Sequence, residues 1–393
     1  MPLLKLDLRK SLRLAQAAVT RNVPVYAHFG ITHRCDLTCK MCGIWRYGNK
    51  KEELEIHEIN EMAQRFARLG VVQTSIGGGE PFAYENVEEA AKCFVDAGIN
   101  LRLLTNAVNV PRERFDKCIA YGVKNFSISL DSLYPARFDY ICEFDGAWES
   151  AVSNMSYLAQ ELHGKGGMLV INCVVSNLNL EELPDMVRFA QEIGFAISFL
   201  PIELLNNSAD GVKNWEARFI RHRPEMGLSA GPQGQVGDRV DRVYETLIRM
   251  KKDGAPILNS TPYLESSRVY LKTGRFPADG CDAGSLYFSV SPNGQFTICH
   301  RTSHGYKHIL DPDFEEYFRS ESYALQRKLE AGSCDGCMRA CWIDTSSMFR
   351  TLQGFMETAT LNLRPSSGPP VSAEEALTWA RYDAPAPVPE AVG

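Results

Sequence analysis

The chain contains 393 residues, of which 45% are hydrophobic and 23% are charged, and its formal net charge is -6. This is the composition of a globular protein with room for one large domain or two ordinary ones. Because there is no basic excess, the charge balance argues against nucleic acid as a partner. The sequence has neither a run of about 18 apolar residues nor the form of a signal peptide, so we expect a cytoplasmic protein without a membrane-spanning helix.

The N-terminal segment, residues 1–24, is predicted to form a basic amphipathic helix. Leu4, Leu8 and Leu12 recur near helical spacing, and lysine and arginine residues lie between them. One interpretation places this helix on an acidic membrane surface as a peripheral contact, which would imply a lipid substrate. The alternative is that the helix packs across the bottom of the domain that follows.

From residue 25 to residue 205 the sequence alternates strand-like and helix-like segments. This alternation predicts parallel strands with helices outside them. Six such units are too few for a closed eight-stranded barrel, so the predicted fold class is α/β, with a partial (β/α)6 TIM-type barrel that carries its chemistry at the carboxyl ends of the strands. The predicted strands are Val25–Ile31, Val72–Ile76, Leu101–Leu104, Asn125–Leu130, Met168–Val175 and Ala196–Leu200, and the predicted helices are Leu54–Leu69, Val87–Ala97, Arg112–Tyr121, Ala147–Leu162 and Leu183–Ile193.

Three cysteines directly follow the first predicted strand. Cys35, Cys39 and Cys42 lie within eight residues of one loop, which can wrap their thiolates around one face of an iron–sulfur cluster. Such clusters normally have four thiolate ligands, so three would leave one iron open to another ligand, as catalytic metal sites do. Zinc is less favoured, because zinc sites prefer pairs of cysteines matched by a second pair.

The Cys-x3-Cys-x2-Cys spacing after a first strand resembles the radical S-adenosylmethionine (SAM) superfamily. The resemblance implies a [4Fe–4S] cluster whose open iron is chelated by the amino and carboxylate groups of SAM. It also implies that an electron from the cluster splits SAM into methionine and a 5′-deoxyadenosyl radical, which takes a hydrogen atom from the substrate. A flavodoxin or a ferredoxin-type protein would supply the electron.

The same resemblance assigns SAM-binding roles to residues at the ends of later strands. Gly78-Gly79-Glu80-Pro81 would receive the methionyl amino group, since glycines permit close backbone approach and a carboxylate or carbonyl pairs with an ammonium. Asn106, Ser129 and Asp131 would contact the ribose and the carboxylate of SAM, and Val175 would pack against the adenine. The alternatives are a tight turn, strand-end capping and plain core, respectively.

After the barrel the alternation stops. Residues 206–275 are predicted to be an insertion or linker, mainly helical, with a helix at Asp238–Lys252. The Asn-Gly turn between Leu286–Ser291 and Gln295–Cys299 predicts a β-hairpin. The Pro- and Ala-rich residues 363–393 are expected to be disordered, apart from a short helix at Ala373–Arg381.

A second group of five cysteines spans 61 residues within the predicted domain 276–362. Its members are Cys281, Cys299, Cys334, Cys337 and Cys341. A zinc ribbon would need two close pairs, so a second [4Fe–4S] cluster is favoured. The region resembles the C-terminal SPASM and twitch auxiliary-cluster domains of the superfamily, and with only five cysteines it is closer to twitch. This resemblance implies Cys281, Cys299, Cys334 and Cys337 as ligands, with Cys341 either spare or replacing Cys334.

The remaining cysteines are read as small buried hydrophobic residues. They are Cys93, Cys118, Cys142 and Cys173.

These motifs do not identify the substrate. The favoured hypothesis is a non-peptide small molecule, such as a sugar or cyclitol, that is oxidised or rearranged in a biosynthetic pathway. The alternatives are maturation of a ribosomal peptide and modification of a lipid. The peptide hypothesis is weakened because only 34 residues precede Cys35, where many peptide-modifying members carry a leader-binding domain. A non-catalytic electron carrier would need no SAM pocket and is disfavoured.

Overall fold

The computed structural model describes residues 8–48, 52–202, 226, 228, 233–276, 281–299, 307–334, 336–351, 353–354, 356–357 and 371–382. None of the helices in these ranges combines the length and apolarity needed to cross a membrane.

The strands form one continuous sheet. They are β1 (Tyr26–Thr32), β2 (Gln73–Gly78), β3 (Asn100–Thr105), β4 (Asn125–Ser129), β5 (Leu169–Val175), β6 (Ala196–Pro201), β7 (Tyr287–Val290), β8 (Gln295–Thr297) and β9 (Lys307–His308). The order across the sheet is β6-β5-β4-β3-β2-β1-β7-β8-β9, and neighbours from β1 to β6 are parallel. The predicted six-stranded partial barrel is therefore confirmed.

The helices of the barrel cover the outer face of this sheet, and those after β6 complete the fold. They are α1 (Leu8–Thr20), α2 (Ile56–Leu69), α3 (Val87–Asp96), α4 (Arg112–Ala120), α5 (Pro135–Cys142), α6 (Ala147–Leu162), α7 (Leu183–Glu192), α8 (Gln233–Lys252), α9 (Thr261–Thr273), α10 (Phe314–Arg319), α11 (Glu321–Gly332), α12 (Ala340–Arg350) and α13 (Ala373–Leu377). The sequence did not indicate α5, α9, α10, α11 or α12.

Strand β1 shows how the barrel separates its two faces. Ala27, Phe29 and Ile31 are fully buried against the helices, whereas Tyr26 and His28 line the interior cavity. Because successive side chains of a strand point to opposite faces, apolar residues at every second position are enough to anchor the helical layer. The inward positions are thereby left to polar residues.

The predicted hairpin extends the barrel sheet. Strand β7 pairs with β1 in parallel, with Tyr287 opposite Tyr26 and Ser289 opposite His28, and β8 then returns antiparallel to β7. Gly294 closes the turn with φ +77°, a conformation that glycine adopts without strain. The C-terminal cysteine region is therefore joined to the barrel edge-on, a connection that the sequence did not indicate.

Helix α12 lies in the gap between the β6 side and the β7 side of the sheet. On one side the Asp344 carboxylate accepts a hydrogen bond from Asn259, whose side-chain oxygen accepts the backbone N–H of Phe199 in β6 (2.6 Å). On the other side Ser346 Oγ lies 3.2 Å from the Tyr287 hydroxyl of β7. This helix thus fills the gap that remains because the barrel is not closed by strands.

The described part of the N-terminal helix, α1, packs across the amino ends of the strands. Lys10 Nζ donates to the Asn100 side chain at the start of β3 (2.8 Å), Ala17 is fully buried, and Leu14 lines the interior cavity. Of the two interpretations of this helix, the structure supports packing at the bottom of the barrel. Residues 1–7 lie outside the described part.

Part of the C-terminal tail packs on the barrel rather than extending from it. Within residues 371–382, Ala376 is fully buried and Trp379 makes an edge-on contact with Phe189 of α7. The Ser156 hydroxyl of α6 also donates to the Val371 carbonyl (2.8 Å). The structure has the helix α13 (Ala373–Leu377) within the segment Ala373–Arg381 for which the sequence predicts a short helix, and a few apolar side chains are sufficient to dock it on the barrel.

Candidate functional site

The loop that follows β1 brings the first three cysteines to the carboxyl end of the barrel. Cys35, Cys39 and Cys42 are half-buried and line a single cavity of about 1140 Å³. The backbone N–H of Cys42 donates to the Cys39 carbonyl (3.0 Å), and that of Lys40 donates to the Ile141 carbonyl at the end of α5 (2.9 Å). The loop is therefore held in shape by its own backbone and by α5.

Arg34 anchors the same loop at its beginning. Its guanidinium makes two 2.8 Å hydrogen bonds to the two carboxylate oxygens of Glu53. Such a bidentate pair fixes direction as well as distance. This pair therefore helps to position the segment that leads into Cys35.

Gly78 and Gly79 allow the end of β2 to contact the cysteine loop. Gly79 N–H donates to the Thr32 carbonyl (2.7 Å), and Glu80 N–H donates to the Arg34 carbonyl (2.8 Å). A Cβ on Gly79 would lie 2.1 Å from the Arg34 carbonyl oxygen, and one on Gly78 would lie 2.2 Å from that of Thr32. Both contacts involve backbone, so neither position has room for a side chain.

The Glu80 carboxylate connects β2 to the end of β3. It accepts hydrogen bonds from the Phe82 N–H (3.1 Å), the Thr105 hydroxyl (2.8 Å) and the Asn106 N–H (2.7 Å). Burial raises the pKa of Glu80 to about 7. Glu80 lines the cavity, and its carboxylate oxygens connect the ends of β2 and β3 in the cavity wall. Pro81, the fourth residue of the motif, is buried behind it.

The remaining residues assigned to SAM divide into those that line the cavity and one that does not. Asn106 lines it and donates to Asp36 in the cysteine loop (2.8 Å), and Ser129 presents an exposed hydroxyl to it. Asp131 lines it too, but burial raises its pKa to about 7 and its carboxylate accepts the Val174 N–H (2.7 Å). Val175, which was expected to pack against the adenine of SAM, does not line the cavity. It is fully buried in the core, because strand alternation directs Val174 to the cavity instead.

One cysteine near the loop was missed as a site residue. Cys142 lines the cavity, and a hydrogen bond with Cys39, together with burial, raises the pKa of its thiol. No local pattern predicts this proximity, because Cys142 belongs to helix α5, which the sequence did not indicate.

The chemistry of the donor set fits an iron–sulfur cluster. Cys35, Cys39 and Cys42 offer three thiols on one loop, and thiolates are the ligands that such clusters normally take. Burial raises the pKa of the Cys35 thiol, so the thiolate form depends on metal binding, which deprotonates a coordinating thiol.

The second cysteine group lies at the opposite end of the barrel. Cys281 precedes β7, which is parallel to β1, and Cys299 follows the antiparallel β8, so both lie near the amino ends of the barrel strands. Cys281 Sγ is 3.0 Å from the Tyr287 hydroxyl, and burial raises the pKa of its thiol, with a further contribution from the nearby Cys334.

Cys334 and Cys337 belong to one short turn. Cys334 is exposed, Cys337 is buried, and the Gly336 N–H between them points at Cys334 Sγ (3.4 Å) with φ +99° at the glycine. The side chain of Cys341 lies outside the described part of the structure. The geometry thus brings Cys281 near Cys334 and leaves the choice between Cys334 and Cys341 as a prediction.

We expect Glu80→Gln to weaken SAM binding without removing the cluster. A glutamine oxygen cannot accept from Thr105, Phe82 and Asn106 together, and it loses the charge that would pair with an ammonium. Loss of a charge-assisted hydrogen bond corresponds to a roughly 10- to 150-fold higher Kd for SAM, measured by calorimetry at unchanged iron content.

A matched control for this variant is Glu88→Gln. Glu88 is equally buried, but its carboxylate pairs with Arg114 (2.5 Å) and does not line the cavity. An unchanged Kd in the Glu80 variant would mean that the SAM ammonium contacts other groups.

The sequence and the fold of this chain are similar to those of known proteins. Residues 29–190 match the Radical SAM superfamily. The PqqA peptide cyclase of Bradyrhizobium diazoefficiens is 28% identical over 78% of this chain and 73% of its own length. The AdoMet-dependent heme synthase of Methanosarcina barkeri is 26% identical over 80% of this chain and 89% of its own length. The match to another PqqA peptide cyclase, from Ruegeria pomeroyi, spans only 46% of that protein.

A solved structure has the same fold. Streptococcus suis SuiB bound to the precursor peptide SuiA superposes with a TM-score of 0.56 at 15% identity, covering 81% of this chain and 70% of that one. The likeness concerns the architecture: a partial barrel followed by a C-terminal extension.

Proposed function

This chain is a radical SAM enzyme, and from that premise we propose that its substrate is a peptide from which it removes a hydrogen atom at carbon. When bound, SAM and the cluster of this superfamily supply the 5′-deoxyadenosyl radical for that step. SAM and [4Fe–4S] clusters are therefore the cofactors, as the sequence predicted. We propose Cys35, Cys39 and Cys42 as ligands of the cluster that cleaves SAM.

The single observation that carries the peptide assignment is the set of relatives. PqqA peptide cyclases match this chain over as much as 78% of its length, and SuiB shares the fold in a structure that contains a precursor peptide. The sugar or cyclitol substrate favoured from the sequence has no counterpart among these relatives. The relatives favour the alternative of peptide maturation.

The cavity supports a substrate larger than SAM alone. Its volume of about 1140 Å³ exceeds the roughly 300–1,000 Å³ of ordinary small-molecule pockets. It extends from the cysteine loop down the barrel to α12, where Met348 and Phe349 line it. Leu14 of α1 lines the cavity as well.

We propose the second cysteine group as the ligands of an auxiliary cluster. Cys281, Cys299 and Cys337, with Cys334 or Cys341, would hold it at the amino end of the barrel. The contact of Cys281 with Tyr287, whose hydroxyl also lies against Ser346 of α12, connects this group to the cavity wall.

The test follows deuterium from the substrate. The anaerobically reconstituted enzyme is incubated with SAM, dithionite and candidate precursor peptides deuterated at side-chain carbons. We expect deuterium in 5′-deoxyadenosine and a mass change in the peptide, both absent in the Cys35/Cys39/Cys42 alanine variant. SAM cleavage without deuterium transfer from any peptide would count against the assignment.

A second candidate substrate is a heme precursor. The observation that favours it is the Methanosarcina barkeri heme synthase, which matches over 89% of its own length. Deuterium transfer from such a precursor, and not from peptides, would select this candidate.

A further inference from the structure

One layer of inward-facing side chains in this barrel, called the polar belt below, is polar where a barrel core is normally apolar. In closed (β/α)8 barrels the inward positions are filled mainly by Val, Ile and Leu. Here Ser289, His28, Ser75 and Arg102 are register neighbours on β7, β1, β2 and β3, and all four line the cavity. The positions that continue the lining on β4, β5 and β6 are Ser127, Asn172 and Ser198.

Arg102 is the unusual member of this belt. Its Nε is buried without a hydrogen-bond partner, and its guanidinium contacts the Met168 sulfur (3.3 Å). Among the described residues, no carboxylate forms an ion pair with it. Burying a cation without a counter-charge is destabilising, so a folded chain that keeps one in an open cavity is suited to receive an anion.

Within the described ranges, the other titratable groups that line the cavity do not form an ion pair with Arg102. His28 is neutral at physiological pH, because burial, assisted by the charge of Arg339, lowers its pKa to about 3. Arg339 also lines the cavity. The acidic residue nearby on α12, Asp344, is engaged by the Ser260 N–H (3.1 Å) and hydroxyl (2.5 Å).

We propose that the lumen contains a carboxylate-binding subsite in which Arg102 holds an anionic group of the substrate. The subsite rests on the proposed peptide function and specifies which part of the peptide enters the barrel. Arg102 lies three residues before Thr105 on β3, so its Cα is about 10 Å below the strand end. An acidic side chain or a free C-terminal carboxylate that enters beyond the SAM site would reach it.

The first test measures binding to the reconstituted holoenzyme with SAM, by ligand-observed NMR. The probes are N-acetyl-glutamate α-amide, which carries a side-chain carboxylate, N-acetyl-alanine, which carries a C-terminal one, and the neutral N-acetyl-glutamine α-amide. We expect one carboxylate probe to bind at least about tenfold more tightly than the neutral probe. Which of the two acids is preferred distinguishes the side chain from the C-terminus.

The preference should disappear in Arg102→Met and be largely kept in Arg102→Lys. Equal binding of acids and amide by the wild type, or a preference that survives in Arg102→Met, would overturn the subsite. If Arg102→Met does not fold, the wild-type comparison and the lysine variant still decide. A carboxylate preference together with no reaction on any peptide would reject the peptide substrate and support the subsite.

The melting temperature distinguishes an arginine that binds substrate from one that stabilises the fold. Removing a half-buried charge that has no ion-pair partner among the described residues should leave the apparent Tm of Arg102→Met unchanged or raised by about 2 °C. The control is Arg65→Met, since Arg65 is buried and pairs with Glu61 (2.7 Å) and the Leu310 carbonyl (3.1 Å). We expect a lower Tm for that variant, and an equal loss in both would mean that Arg102 serves the fold.

Discussion

Replacing Cys35, Cys39 and Cys42 together with alanine is expected to abolish SAM cleavage. The three thiols lie on one loop that lines the cavity, and together they would leave one cluster iron open for SAM. Of the cysteines described, Cys142 alone would remain at this end of the barrel, and one thiol would not hold a cluster, so no electron would reach SAM. The measurement is 5′-deoxyadenosine formed with dithionite under anaerobic conditions, and we expect none above background.

The double variant Cys93→Ala/Cys118→Ala is a matched control. Both residues are buried in helices α3 and α4, and neither lines the cavity. This variant should cleave SAM normally, which would show that loss of thiols in itself is not the cause. Normal cleavage by the Cys35/Cys39/Cys42 variant would refute the cluster assignment.

The iron count is expected to separate the two cysteine groups. Two [4Fe–4S] clusters give about eight irons per wild-type chain, and the Cys35/Cys39/Cys42 variant should keep about four. Because Cys281 and Cys299 meet at the amino end of the barrel, far from the first loop along the strands, loss of one cluster should not remove the other. Iron and acid-labile sulfide are measured on each purified variant.

Single alanine changes should then identify the auxiliary ligands. We expect Cys281, Cys299, Cys334 and Cys337 each to cost about four irons and Cys341 to be silent, since Cys334 lies near Cys281 and Gly336 relaxes the Cys334–Cys337 turn. Loss of iron in Cys341→Ala but not in Cys334→Ala would exchange the two. No iron at all in the Cys35/Cys39/Cys42 variant, or one zinc ion in place of iron, would refute the second cluster.

The parts of the site that sequence could predict are those built from residues adjacent in the chain. Cys35, Cys39 and Cys42 occupy one loop after a recognisable strand, and Gly78-Gly79-Glu80 ends the next one. Parallel strands bring their carboxyl ends together, so even the meeting of these two segments followed from the βα alternation. The alternation does not show which groups exclude a side chain at Gly78 and Gly79. Only the structure shows that the carbonyl oxygens of Thr32 and Arg34 leave no space there.

Other site features depend on contacts between distant segments. The position of Cys142 beside Cys39 depends on the packing of α5, a short helix without a clear apolar period. Val174, rather than Val175, lines the cavity because the strand register places it there, and a shift of one residue reverses every side chain. The hydrogen-bond partners of Glu80 could not be predicted from the neighbouring sequence either, since Thr105 and Asn106 follow it by about 25 residues.

Local patterns alone determined the six βα units, the first cysteine loop and the hairpin at Gly294, because each depends on spacing or turn chemistry within a few residues. Only the tertiary structure decided that β7 joins β1, that α12 lies in the gap beside β6, and that Arg102 lies in the polar belt with no ion-pair partner among the residues described. These features arise from sheet register and from packing between distant segments, such as Tyr26 and Tyr287 of the β1–β7 pair. No single stretch of sequence contains both partners, so their energetics exist only once the chain is folded.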